Sequence, residues 1–207
     1  MKFRYYSIIL AFICTIVFIL QLSFSGFTEL FVLNKSALYG FQIWRFLTAI
    51  FLHGSLIHLM YNMFALLLFG FILENKIGSR NFLIVFLISG VLANLIAVNF
   101  YDSSLGASGA IYGVLGSLTI LNPFMGVWVF GIIMPMFIAS IIWVIGDLLG
   151  AFGISQGNVG NIAHLSGIFI GFVFGILFWK YRARRETKEK FAIPDDYMKD
   201  WEDKHMR

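Results

Sequence analysis

The chain has 207 residues, of which 59% are hydrophobic and only 13% charged, with a net charge of +4. So few charges exclude an ordinary soluble domain and a disordered chain, and they point to an all-α polytopic membrane protein. Only eight charges fall within residues 5–179, and the one cysteine, Cys14, excludes an intrachain disulfide.

A bilayer crossing needs about 20 apolar residues. Six apolar runs approach or meet that length. The first covers 5–23; it has no convincing small-residue cleavage site and reads as a retained span rather than a signal peptide. The connection 24–54 is too apolar for a free loop and too broken to cross, so part of it is expected in the interface. Trp44 and Arg45 would anchor there at headgroup depth. The second span, 55–74, ends at Glu74, expected to pair with Lys76 or Arg80 or to bond nearby loop backbone. The third covers 82–100. The fourth, 108–121, stops at Asn122-Pro123, a strong breaker. The fifth covers 125–149, a Gly/Ser/Gln/Asn loop occupies 153–157, and the sixth covers 160–179. Residues 1–180 thus read as one six-helix membrane domain. Residues 181–207 read as a charged tail, helical around Arg184–Phe191 and otherwise disordered.

Six spans put both termini on one side. That side carries thirteen of the fifteen lysines and arginines, leaving Lys35 and Arg45 opposite, so both termini are expected in the cytoplasm of a multi-pass cell-membrane protein. The same bias explains the positive net charge without a nucleic-acid partner.

Leu105-Gly106-Ala107-Ser108-Gly109-Ala110 sets a serine between small residues where a polar loop meets an apolar run. Taken alone, the segment reads first as a helix N-cap with small packing residues. Polar residues in three spans change that reading. His58 and Asn62 lie four apart on one face of the second span, and His164 lies one turn into the sixth. With Ser108 they form one layer toward the outer surface. One such residue is ordinary interhelical glue; four at matched depth, with a serine and a histidine among them, point to catalysis. His164 would take the proton of Ser108, whose oxygen attacks a carbonyl. The Ser108 N–H, Gly106 and the Asn62 amide would receive the oxyanion, with His58 alongside, while Tyr112 stacks on His164. No acid has an evident place behind His164, so the expected machinery is a dyad. Asp147 reads as a capping or loop-facing residue at the outer end of span five.

Trp44-Arg45, His53-Gly54-Ser55-Leu56-Ile57-His58-Leu59-Met60-Tyr61-Asn62, Gly106-Ala107-Ser108-Gly109 and Ala163-His164-Leu165-Ser166-Gly167 with Gly171 together resemble the rhomboid intramembrane serine proteases of the six-span core type. The resemblance covers about residues 40–179. It implies a serine endopeptidase that cuts in or near transmembrane segments of membrane-protein substrates, with no cofactor. Ser108 would be the nucleophile, His164 the base, His58 and Asn62 oxyanion helpers, and Tyr112 the packing partner of the base. Gly109 would support the serine, and the site would open to the outside.

Other classes fit less well. Tyr101-Asp102 and Gly146-Asp147 superficially resemble the motifs of presenilin-like aspartyl proteases, but Val144 stands where that family needs a glycine and Asp102 lies in a loop. His53 and His58 are five apart, poor spacing for a shared metal, and no H-E-x-x-H occurs. Catalytically silent rhomboid relatives that bind or sort membrane proteins lose the serine or the histidine; this chain keeps both. A transporter would show internal repeat symmetry, which is absent here.

The charge asymmetry sets a labelling test. In a Cys14→Ser background, cysteines at Ser103 and Ser155 should react with an impermeant thiol reagent from outside, and one at Ser79 should not. Reversed accessibility would overturn the orientation.

Overall fold

Apolar runs without water must satisfy their backbone internally, and here they do so as helices. The structure, a computed structural model, describes residues 4–129, 131–153, 160–190 and 204. Most of the loop expected over 153–157, and the tail beyond Lys190 except Lys204, lie outside the described residues. The main helices are α1 (Tyr6–Ser23), α2 (Leu56–Ile77), α3 (Ser79–Ala97), α4 (Ser108–Leu121), α5 (Met136–Ala151) and α6 (Asn161–Lys190). By length and composition, α1, α2, α3 and the Asn161–Lys180 part of α6 can cross a membrane. The other two are shorter: α4 has 14 residues and α5 has 16. At about 1.5 Å per residue, α4 spans roughly 21 Å, less than a typical hydrocarbon core. Helix α6 continues without a break through the stretch expected as a separate tail helix.

The fifth apolar run is not helical throughout. Gly126–Val129 and Ile132–Pro135 pair as an antiparallel hairpin, Gly126 opposite Pro135 and Val129 opposite Ile132, and α5 begins only at Met136. The cause is local. β-branched and aromatic residues favour a pleated strand, Gly131 supplies a φ of +83°, and extended Pro135 closes the strand ahead of the helix. Val127, Val129 and Met134 pack into the core while Trp128 and Ile133 face outward. Both faces are apolar, so hydropathy alone reads the stretch as span.

Helix α4 is the centre of the bundle and is buried along nearly its whole length, as a mainly apolar helix should be. Its contact with α6 is backbone to backbone. A Cβ added at Gly171 would run into the Gly113 carbonyl, and one at Gly116 into the Ile168 carbonyl. Ser117 Oγ lies 3.0 Å from both the Gly113 and the Gly171 carbonyl oxygens and donates across the interface. In lipid, small residues and such polar bonds drive helix association.

Two buried charges hold the periphery. Glu74 is fully buried and pairs with neither Lys76 nor Arg80. Its carboxylate accepts the Tyr6 N–H at 2.9 Å, the Ser7 N–H at 3.0 Å and the Ser7 hydroxyl at 2.9 Å. It therefore caps the first turn of α1, where free N–H groups and the helix dipole favour an anion. Arg45 is also buried rather than set among headgroups. Its Nη1 donates to the Glu29 carbonyl at 2.8 Å and the Val32 carbonyl at 2.6 Å, and its Nε to Gln42. The connection 24–54 is thereby folded on itself. It is further tied by Thr48 to the Phe31 carbonyl, by Asn94 of α3 to the Phe46 carbonyl, and by the short ladder Leu33–Asn34 with Ser103–Ser104. Ser79 is buried and accepts the Arg4 N–H at 2.8 Å, so the exposed Arg80 is the informative position of this turn for thiol labelling.

Glu74→Gln should lower the melting temperature in detergent by roughly 5 °C, since lost hydrogen bonds to a buried charge cost about 2 kcal/mol or more. Lys76→Gln should leave it unchanged. Equal melting of Glu74→Gln and wild type would refute the clamp.

Candidate active site

Ser108 is the first residue of α4. The cap position belongs to Ala107, with no side-chain cap, so Ser108 is not an N-cap serine. Its side chain is half-buried, and among the described residues its hydroxyl makes no hydrogen bond, to His164 or to any other group. The approach to it is fixed by Gly106, whose N–H donates to the Ala49 carbonyl at 2.9 Å and whose φ is +124°. A Cβ there would lie 2.8 Å from His58 Cε1. Glycine is therefore required for the backbone angle and for the His58 ring lying against it. Because its N–H is spent on Ala49, Gly106 is not a free oxyanion donor, contrary to the expectation from sequence.

His164 lies in the first turn of α6. That turn is held by the Tyr101 hydroxyl, which accepts the Ile162 N–H at 2.9 Å. The imidazole is buried and fixed on two sides. Tyr112, one turn into α4 from Ser108, stacks on it with ring centroids 4.2 Å apart and planes 9° apart. Asp147 Oδ1 lies 2.9 Å from His164 Nδ1. This corrects the reading that no acid stands behind the histidine. Asp147 is neither loop-facing nor a cap; it is buried on the inner stripe of α5 with Met136, Ala139 and Ser140. Residue spacing could not reveal this pairing, because it depends on how α5 packs on α6. The available signal was an acid inside an apolar span, which is functional by default.

The serine and histidine helices touch beside these two residues. A Cβ at Gly109 would sit 3.5 Å from the Ala163 carbonyl oxygen, and one at Gly167 would run into the Gly109 carbonyl. His58, half-buried, is near enough to His164 to interact with it electrostatically. The His58 ring meets His53 edge to face at 5.2 Å. His53 itself is buried. Desolvation, aided by His58, pushes its pKa down to about 4, so it stays neutral. Asn62 is buried one turn beyond His58 and donates Nδ2 to the His58 carbonyl at 2.9 Å, which leaves its second N–H. Trp44 and Arg45 belong to the folded connection and are not brought to the site: Trp44 is half-exposed and Arg45 is bonded to loop carbonyls. Among the described residues no three His, Cys, Asp or Glu side chains converge to hold a metal ion.

The chemical content is a serine at a helix start, where backbone N–H groups are free, beside a histidine oriented by a carboxylate and an aromatic face. Such a constellation suits acyl transfer.

Comparison with known proteins agrees in kind. The family model described as Rhomboid domain matches residues 40–181. The chain is 32% identical over 145 residues to RHOMBOID-like protein 6, mitochondrial, of Arabidopsis thaliana, covering 69% of this chain and 46% of that one. It is 32% identical over 145 residues to RHOMBOID-like protein 4 of the same plant, covering 69% and 36%. To the Rhomboid protease GlpG of Salmonella paratyphi A it is 27% identical over 135 residues, covering 63% and 47%. The chain thus spans less than half the length of these relatives.

The helix contact generates a test. Gly167→Ala should push α6 off α4 and lower the reactivity of Ser108 toward a serine-directed phosphonate by about 100-fold, the scale expected for a displacement near 1 Å. Gly146→Ala, with nothing within 4 Å of the added carbon, should react like wild type. Equal labelling of the two variants would refute this role for the contact.

Proposed function

The chain belongs to the rhomboid family, and from that premise we propose that it is an intramembrane serine endopeptidase using Ser108 and His164. The observation that carries the reading is the backbone contact of α4 and α6 beside these two residues, with the imidazole stacked on Tyr112. His164 Nε2 accepts the Ser108 proton as Oγ attacks the scissile carbonyl carbon. The resulting oxyanion is received by the Ser108 N–H, the second N–H of Asn62 and His58. His164 then gives its proton to the leaving amine, and the carbon–nitrogen bond breaks. Water, deprotonated by the same histidine, attacks the acyl-enzyme, and the Ser108 oxygen leaves with the proton. Gly109 keeps the serine uncrowded.

The substrates in this reading are transmembrane segments of other membrane proteins, reached from the bilayer. The four long helices and the shorter α4 and α5 act as six spans of one domain over residues 1–180, with 181–207 as a cytoplasmic tail. The basic excess places both termini in the cytoplasm and the site toward the outside. A short α4 that begins below the surface, after the polar 101–107 loop, gives water a path to Ser108.

Purified protein in detergent or proteoliposomes should cleave a transmembrane reporter. Ser108→Ala and His164→Ala should each lower turnover by about 1,000-fold or more, and Ser108→Ala should melt within a few degrees of wild type. A phosphonate should label wild type at Ser108. Full turnover in Ser108→Ala would refute the reading. Correctly folded wild type that cleaves no reporter would leave a non-catalytic membrane-protein binding factor as the better account.

A further inference from the structure

We infer that Asp147 is a positioning residue for the base: its carboxylate holds His164 in the tautomer that carries its proton on Nδ1, so that Nε2 offers a lone pair toward Ser108. The inference rests on the protease reading above and adds a third member to the serine–histidine pair.

The argument begins on α5. Its buried residues are Met136, Ala139, Ser140 and Asp147, a single inner stripe, with Ile142 and Trp143 packed half-buried beside it. Ser140 and Asp147 are seven apart and share that stripe. Ser140 pairs with Thr119 of α4, and Asp147 meets His164 of α6. Near the end of α5, Gly150 abuts the side chain of Asn161, where α6 begins. The helix is therefore held in register with both catalytic helices near Asp147.

Hydrogen-bond chemistry supplies the next step. An ionised carboxylate only accepts, and a neutral imidazole has one N–H and one lone pair. With Oδ1 2.9 Å from Nδ1, the proton must sit on Nδ1 and the lone pair on Nε2. A general base for a serine hydroxyl needs that form. The opposite tautomer would present an N–H to Ser108 and take no proton. Tyr112 covers one face of the ring, and Asp147 fixes one edge, so rotation about the side chain is restrained in both senses. The Tyr112 phenol is the other group near the carboxylate. It lies close enough to interact with it.

The surroundings also explain why an acid is retained in an apolar helix. The side chains of His164 and Asp147 are only 10% and 7% exposed. A lone carboxylate there would be costly. When His164 accepts the serine proton, the carboxylate faces an imidazolium, and the transient charge pair needs no water. The bond is thus strengthened at the step where the histidine becomes charged.

Two measurements on the full-length protein test this. The first uses 15N-histidine-labelled protein in detergent, with the His164 signals assigned by their loss in His164→Gln. The nitrogen shifts should report a proton on Nδ1 in wild type at neutral pH, and Asp147→Ala should move the population toward the Nε2–H form. A wild-type Nε2–H tautomer would overturn the inference, and this readout needs no turnover. The second compares kcat and KM for Asp147→Asn. The amide keeps the shape but not the charge, so kcat should fall by about 100- to 10,000-fold with KM nearly unchanged and the Ser108 position intact. Turnover within about three-fold of wild type would overturn it too, since a merely structural bond would move the melting temperature and leave kcat alone. If Ser108→Ala and wild type were equally inactive, the protease reading would fall, while the nitrogen shifts would still decide the tautomer.

Discussion

Close approach of two backbones, α4 on α6, is the constraint on which the other features depend. Between helices surrounded by lipid, burying apolar side chains gains little, because the tails outside are as apolar as the leucines inside. What remains is dispersion at short range and polar bonds between helices. Gly113, Gly116, Gly167 and Gly171 bring the two main chains together, and Ser117 bridges them. A side chain at Gly116, Gly167 or Gly171 would separate the helices that carry Ser108 and His164, and one at Gly113 would run into Ser89 of α3.

Around that contact, charges are used to finish backbone rather than to meet solvent. Glu74 completes the first turn of α1, and Arg45 gathers the carbonyls of the long connection. Each is buried, and each would be costly alone; each is tolerated because it is hydrogen-bonded to main-chain groups. The folded connection is pinned in turn to the 103–104 strand that leads into Gly106 and to α3. A chain of hydrogen bonds thus runs from the connection toward the loop that presents the serine.

Helix α5 has a different character. Only four of its residues are buried, and Ile138, Ile141, Ile145, Leu148 and Leu149 are exposed. Yet this lightly held helix carries Asp147, the acid bonded to His164. The orientation of the histidine therefore depends on how α5 seats against the rest of the bundle. That links the least enclosed helix to the residue whose geometry matters most.

Much of this was legible in the chain itself. Long apolar runs with few charges dictate membrane helices, since every buried peptide group must be bonded internally; the first four helices fell close to the runs read from hydropathy. The spacing of His58 and Asn62, and the small residues around Ser108, belong to local geometry and could be read as such. Residues 125–135 could not, because a strand hairpin with two apolar faces has the same hydropathy as a span. Glu74, Arg45 and Asp147 could be seen to be unusual, but Glu74 bonds Ser7 67 residues away, Arg45 bonds the Val32 and Glu29 carbonyls 13 and 16 residues away, and Asp147 meets His164 17 residues away. Sequence periodicity names the face a side chain occupies within its own helix. Which group waits opposite is set by the packing of one helix on another, and only the tertiary structure decides that.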